Sequence, residues 1–517
     1  MKFYEGKNAI RELLPEILHD ESRLTSGIPD AVYFPQTVSD VREAVLAANR
    51  ANKHIALIGG KTGVAGGSVP TDGCVALCFS DMNRIHSVAP RESGPLLTCD
   101  PGVTLAAIET FLQNPSSQSG SVAGSDLAEP GKWLYAPDPT ESSAQLGGTI
   151  ATNASGARSL LFGSTRKHVL ELLIVFANGD TLTIRRGDYR ETNGVFVFGT
   201  DQGTKFTIRK PTYPAPSTKN SSGYFVSDNM DLIDLFVGSE GTLGIIARCS
   251  IGLIPLPHLI SGLSFFPNRA SAFGAAAFLR KEGRVCAVEY FDKSALGLLE
   301  MSRNSLPFDL PEFPSDKRNA VYWEYIDDAE QPFDDKLDLW EDMLTRNGSS
   351  FESTWSGSTP SEIDRLKSLR HAVPEAINSA IARYKQEFPD IRKVSTDTAL
   401  PASAFERVFE EYVRHIGASG LEFAVFGHLG DYHLHINLIP HTSEQLTAAK
   451  QLYQTLMQMT VACGGSVSAE HGIGKLKTRY LRMMYGDDAR AEMMALKSAL
   501  DPLWMLNRGT MFEYPPE

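Results

Sequence analysis

Apolar residues recur along this chain in two rhythms, and the rhythm changes near Pro255-Leu256-Pro257-His258. Before that point the apolar runs are short and closed by Gly, Ser and Thr. Cys74-Val75-Ala76-Leu77-Cys78-Phe79 places large apolar residues on one parity, as a strand with one buried face does. The run from Val169 to Ala177 meets Asn178-Gly179 and restarts at Thr181 to Ile184, the signature of a hairpin. Short helical stretches lie between the strands, such as Val38 to Ala51, opened by Ser39-Asp40. Residues 1–258 are therefore expected to form one α+β unit that grips a ligand through glycine loops.

Beyond that point the helices lengthen. Ile363, Leu366, Leu369 and Val373, then Ile377, Ile381 and Tyr384, follow each other at three and four residues. Pro374 is expected to kink or split that helix. Two more helical patterns cover 403–416 and 444–463, and a hairpin-like run from Phe423 to Pro440 separates them. The expected second unit, 259–480, is an antiparallel sheet flanked by helices, capping the first. A segment from 481 to 517 returns to the first unit and ends in a loop-like Asn507-Arg508-Gly509-Thr510.

Composition narrows the function. With 517 residues, 42% of them hydrophobic, the chain can bury a large core in two or three domains. Its net charge of -13 repels phosphate backbones, and no basic run offsets it, so nucleic acid is excluded as a partner. The cysteines, at 74, 78, 99, 249, 286 and 463, form no CxxC pair, which argues for a reduced, cytoplasmic protein. No apolar stretch reaches ~18 residues and the N-terminus lacks a signal-peptide core, leaving only peripheral contact with a membrane.

The first chemical signal is a glycine cradle. A buried run, Ile55 to Ile58, leads into Gly59-Gly60-Lys61-Thr62-Gly63-Val64-Ala65-Gly66-Gly67-Ser68. Without Cβ atoms, the backbone N–H groups of such a loop can turn together toward an anion, and a diphosphate suits it. It is not a P-loop, because Ile55 stands where the first glycine should be. Nor is it a dinucleotide GxGxxG, because Pro70 arrives where a helix should run. Two more small-residue loops follow: Pro137-Asp138-Pro139-Thr140 with Gly147 to Ala157, and Gly238 to Ile246. Three such loops beside strands suit one long ligand.

The second signal is histidine. Phe426-Gly427-His428-Leu429-Gly430-Asp431-Tyr432-His433-Leu434-His435-Ile436-Asn437 holds three imidazoles within eight residues. On a hairpin, His428 would end one strand, Leu429 to Tyr432 would turn, and His433 and His435 would share a face of the returning strand. Together they suit a borderline metal such as zinc. Downstream, Ala469-Glu470-His471-Gly472-Ile473-Gly474 offers one carboxylate ligand and one base.

Taken together, these motifs resemble the FAD-binding PCMH-type flavoproteins, the vanillyl-alcohol-oxidase superfamily. Within it, residues ~30–512 are similar to the D-lactate, D-2-hydroxyglutarate and glycolate dehydrogenase branch. The resemblance implies an FAD-binding domain of two α/β subdomains plus a C-terminal α+β substrate, or cap, domain. It places Gly59, Gly60, Lys61, Thr62, Gly63, Gly66, Gly67 and Ser68 at the FAD pyrophosphate. Pro137, Thr140, Gly147, Gly148, Asn153, Ser155 and Gly156 fall near the flavin and ribityl chain, and Glu240 and Ile245 near the adenosine half. No His or Cys occurs in the first loop, so the FAD is expected to be non-covalent.

The histidine motifs are similar to the family patterns GHxGDGNxH and EHGxG. They imply His428, His435 and Glu470 as ligands of a divalent metal, zinc by preference, and His471 as the base. A histidine, with an ordinary pKa of ~6.5, can take a proton near neutral pH. The chain departs from the pattern at Tyr432-His433, where the family has Gly-Asn. His433 then becomes a donor to the substrate, a replacement ligand or the mark of a different substrate. Arg370 stands where the family places a substrate-facing arginine; Lys393 ranks below it, because its spacing to Asp397 departs from the family. The implied reaction is oxidation of a small D-2-hydroxy acid, D-lactate first, with hydride passing to flavin N5. Electrons would leave to an external acceptor: an electron-transfer flavoprotein, a cytochrome, a quinone or dioxygen. A homodimer is also suggested. The alternatives are D-2-hydroxyglutarate or glycolate as substrate, an ether-forming or aryl-alcohol flavoenzyme, and a non-catalytic FAD-binding electron-transfer or assembly subunit.

Overall fold

The structure is a computed structural model that describes residues 1–25, 27–117, 122–125 and 129–513. Its three larger sheets follow one another along the chain. The first has the order Lys2–Glu5, Ala31–Phe34, Val75–Cys78, Ile55–Ile58, with the last three strands parallel. Val75–Cys78 is buried along its whole length, not on one face as its alternation suggests. Both faces are covered. Val75 and Leu77 pack with Val41, Ala44 and Val45 of helix Val38–Arg50, while Ala76 and Cys78 pack with Ile10 of helix Lys7–Leu13. Helix Val38–Arg50 is capped by Thr37 rather than by Ser39-Asp40. The Thr37 side chain accepts from Asp40 N, and Asp40 accepts from Thr37 N, a reciprocal capping box.

The second sheet is antiparallel in the order Ile85–Ala89, Leu96–Cys99, Ile245–Gly252, Val169–Val175, Thr181–Arg185. The expected hairpin is present, with Gly179 at φ 82 in its turn. The glycine loop leaves the first sheet at Ile58, and the Gly147 and Gly238 loops flank the second.

The third sheet has seven antiparallel strands: Thr354–Gly357, Leu259–Phe266, Asn319–Ile326, Val285–Phe291, Glu422–Gly427, His435–Ile439, Val394–Ser395. Helices cover both faces. Val321, Trp323 and Tyr325 point to a cluster with Trp340 and Phe409, and Ala320 and Tyr322 to one with Leu299, Val373 and Ile377. Pro374 does not split its helix, which runs unbroken over Pro360–Tyr384. Proline removes the donor that would reach the Arg370 carbonyl, but buried Val373 and Ile377 on either side hold the helix in place.

Two connections bring the C-terminus back to the first half. Ser468 O accepts from Ser221 N at 2.9 Å, joining the Glu470 turn to the loop near 220. Beyond Thr478 a helical segment bends at Gly486 (φ 80) and continues to Leu500, with Met493 and Leu496 in the same core as the second sheet. The chain then runs beside Ile55. Asn507 N donates to Ile55 O at 2.8 Å, its Oδ1 accepts from Leu57 N at 2.8 Å, and its Nδ2 donates to Glu240 O at 2.7 Å. Replacing Asn507 with Ala orphans Leu57 N and Glu240 O, at about 1–3 kcal/mol for each buried group left unpaired. We expect Asn507→Ala to lower the unfolding midpoint in urea and to weaken FAD retention on gel filtration; an unchanged midpoint would refute this bridging role.

Candidate active site

A cavity of about 1210 Å³ runs from the glycine loop to the histidine hairpin. Its walls contain Gly59, Gly60, Lys61, Thr62, Gly63, Gly67 and Ser68, then Thr140, Gly147, Gly148, Ser155, Glu240 and Ile245. At the other end stand Arg370, His428, His435, Glu470 and His471. Lys393 also lines it, with burial lowering its pKa. Four of the expected cofactor residues stand behind the wall. Gly66, at φ 76, backs onto Leu24. Gly156 packs so closely against the Pro137-Asp138-Pro139 segment that a Cβ would sit 1.7 Å from Asp138 O. Asn153 (φ 50) uses Oδ1 to accept from Ser164 Oγ and Arg166 N, and it lines a separate cavity of about 390 Å³ with Lys219 and Asp431. Pro137 is buried.

This wall suits an elongated cofactor. Added at Gly148, a Cβ would meet no atom within 4 Å, so the backbone there faces open space. Gln145 Oε1, also in the wall, is buried without a hydrogen-bond donor. Lys61 (φ 61) holds the left-handed conformation, which costs a non-glycine residue and clusters at functional sites. Glu240 lines the cavity and also holds a neighbouring turn. Its carboxylate accepts from Ile473 N and Gly474 N, both at 2.7 Å, and so caps the turn that carries Glu470 and His471. Burial raises its pKa to about 7 despite these two bonds.

The histidine hairpin differs from its expected form. The first strand ends at Gly427 and the second begins at His435, so the connection is longer than Leu429 to Tyr432 and His433 precedes the strand. The rings still converge. His433 and His435 lie 4.5 Å apart between centroids, and His428 and His433 5.4 Å. One ligand atom each from His428, His433, His435 and Glu470 lies within 4.8 Å of the others, and all four residues are buried. Tyr432 takes the left-handed conformation (φ 55) that suits the family's glycine, held by Arg280 over its ring at 4.3 Å and by Phe405 at 5.3 Å.

The partners of each ring fix which nitrogen faces inward. His428 Nδ1 bonds Glu289 Oε1, leaving Nε2 3.0 Å from Glu470 Oε1. His435 Nδ1 lies 3.1 Å from Thr396 O, leaving Nε2 3.8 Å from Glu470 Oε2. His433 Nε2 lies 3.2 Å from Asp397 Oδ1, while its Nδ1, 3.8 Å from Glu470 Oε1, has no hydrogen-bond partner. Outer acceptors of this kind orient metal-ligating imidazoles and set their tautomers. The donor set fits a divalent metal: imidazoles with inward lone pairs and one carboxylate. His471, about one-third exposed, stacks on His435 at 5.6 Å and places Nδ1 3.2 Å from Asp397 Oδ2.

Four residues to which motif reading gave no role complete the site. Asp397 accepts from Ser468 Oγ and Lys477 Nζ, both at 2.7 Å, and from the backbone N–H groups of Glu470 and His471. Burial opposes its ionisation, yet His471 and Lys477 hold its pKa well below the usual range. Lys219 Nζ donates to Glu470 Oε1 at 2.5 Å and lies 3.3 Å from Asp431. Glu289 bridges His428 and Arg370, the latter at 3.2 Å, and Arg370 also reaches Asp138 at 3.3 Å. Burial alone would lower the pKa of His428, but Glu289 and Glu470 raise it to about 9. Glu289 had a legible signal: a lone carboxylate in the apolar strand VCAVEYF must be paired if buried. Asp397, Lys219 and Lys477 sit in no recognisable motif.

Residues 29–185 match the family described as FAD binding domain, and residues 257–511 the family described as FAD linked oxidases, C-terminal domain. The chain belongs to the FAD-linked oxidases. It is an FAD-dependent oxidoreductase with a PCMH-type FAD-binding fold. Among similar proteins, a mitochondrial D-2-hydroxyglutarate dehydrogenase of Danio rerio is 29% identical, across 96% of this chain and 81% of that one. A probable mitochondrial D-lactate dehydrogenase of Danio rerio is 26% identical, across 96% and 86%. The 4-ethylphenol oxidase of Gulosibacter chungangensis shares the fold, with a TM-score of 0.66 at 15% identity over 98% of this chain and 94% of that one.

Glu289 is the link whose removal is easiest to read. Glu289→Gln leaves the buried Arg370 and His428 facing a neutral amide, and breaking a buried pair costs about 3–5 kcal/mol. We expect a fall of that size in urea unfolding, against little change for the exposed Glu141→Gln. Equal midpoints for the two variants would show that the Glu289 contacts carry no net weight.

Proposed function

We propose that this protein oxidises a small D-2-hydroxy acid to its 2-oxo acid, with D-lactate the first candidate. The observation that carries this reading is that His428, His435, Glu470 and His471 share one cavity with the glycine loop. Non-covalently held FAD supplies the hydride acceptor at N5, and a divalent ion among His428, His435 and Glu470 supplies Lewis acidity. The remaining work falls to the chain itself. His471 takes the hydroxyl proton at Nε2, because Nδ1 faces Asp397. Asp397 orients that ring, and its four other donors keep the carboxylate ionised and fixed. Arg370 presents its guanidinium to the substrate carboxylate, with Glu289 and Asp138 setting its plane. Electrons then leave to an external acceptor: an electron-transfer flavoprotein, a cytochrome or a quinone. Among the described residues no helix is long and apolar enough to cross a membrane.

A second reading takes D-2-hydroxyglutarate as substrate. Arg392, Lys393, Lys450 and Arg479 all line the cavity, in a chain of net charge -13, and give a second carboxylate somewhere to bind. Anaerobic flavin bleaching against D- and L-lactate, D- and L-2-hydroxyglutarate and glycolate decides between them. Reduction by D-lactate alone supports the first reading, reduction by D-2-hydroxyglutarate alone the second, and a flavin that none of them reduces rejects both. With the active acid, His471→Ala is expected to retain FAD while slowing flavin reduction by about 10²–10⁴-fold. Reduction at the wild-type rate would remove His471 from the role of base.

A further inference from the structure

We infer that His433 is a fourth protein ligand of the metal, so that the centre holds three imidazoles and one carboxylate. This rests on the reading that a divalent ion sits among His428, His435 and Glu470. His433 is fully buried and absent from the cavity wall, so a substrate in the cavity cannot touch it. Its Nδ1 has no hydrogen-bond partner, a rare state for a buried imidazole nitrogen and the expected one for an atom that faces a metal site. Its inward nitrogen is Nδ1, facing Glu470, and Asp397 stands beyond Nε2 as an outer partner. The backbone admits little readjustment: His433 N donates to His428 O at 3.1 Å, and His433 bridges to Ala399, which also bridges to Ser466.

The inference changes the metal expected. Four protein donors already fill a tetrahedral shell, so an ion that also takes a 2-hydroxy acid must accept five or six ligands. Manganese, iron(II), cobalt or nickel meets that demand better than four-coordinate zinc. The departure from Gly-Asn to Tyr432-His433 is then one change with two parts. Tyr432 keeps the left-handed turn, and His433 adds a nitrogen donor where the family has an amide.

The test is made on the FAD-containing protein loaded with cobalt(II). X-ray absorption is expected to show three imidazoles at the ion; two imidazoles would overturn the inference. In chelator competition, His433→Ala is expected to lose cobalt affinity by more than the ~10–100-fold typical of losing an outer partner, with FAD content unchanged. Wild-type affinity in His433→Ala would also overturn it. Flavin bleaching reports on the reaction separately. Bleaching by a D-acid with only two imidazoles at the ion sinks this inference and spares the function. Three imidazoles in a protein that no hydroxy acid bleaches support it and sink the function.

Discussion

The carboxylate of Asp397 fixes the turn on which the site is built. It lies on the short stretch leading from Val394–Ser395, yet it gathers the side chains of Ser468 and Lys477 and the backbone of Glu470 and His471. A glycine-bounded turn such as Ala469 to Gly474 has little intrinsic shape. One buried anion that accepts from four donors gives it one. Glu240 performs the same task from the other side through Ile473 and Gly474, so two carboxylates from distant parts of the chain clamp the segment that carries Glu470 and His471.

Around that clamp runs a line of paired acidic and basic groups. Lys367, Asp138, Arg370, Glu289, His428, Glu470, Lys219 and Asp431 follow one another, each within hydrogen-bond or ion-pair reach of the next. Isolated, any of these charges would be costly in so dry a place. In sequence, each is flanked by its opposite. The arrangement explains how an acidic cluster survives beside three histidines. It also explains why Arg370 is held rigid: its partners are part of the sheet and the FAD-side loop, not mobile surface groups.

Much of this was legible in the chain. The Asn178-Gly179 hairpin, the glycine loop after Ile58 and the His428–His435 cluster are local patterns, and local patterns survive folding because few alternatives compete with them. Where reading failed, tertiary packing had overruled local rules. Val75–Cys78 looked half-exposed because its alternation says nothing about a second covering helix. Pro374 did not break its helix because Val373 and Ile377 are anchored in the core. Thr37 outcompeted Ser39-Asp40 for the cap because the reciprocal bond needs the residue three positions before Asp40. Asp397, Lys219 and Lys477 were out of reach for another reason: their role depends on contacts 71, 251 and 80 positions away.

Glu240 occupies an unusual position in this architecture. It lines the long cavity, and its carboxylate carries the turn that ends at Glu470 and His471. Its backbone is in turn held by Asn507 from the far end of the chain. A ligand that steadies Glu240 from the cavity therefore steadies the carboxylate of Glu470 as well, and an ion that pulls on Glu470 tugs the same turn back toward Glu240. Thermodynamic linkage makes such an effect mutual: whatever free energy the occupant of one end lends to the other is returned in equal measure. An occupant of the cavity beside Glu240 and an ion at Glu470 would thus share one short strip of backbone, and loading either would be felt by the other.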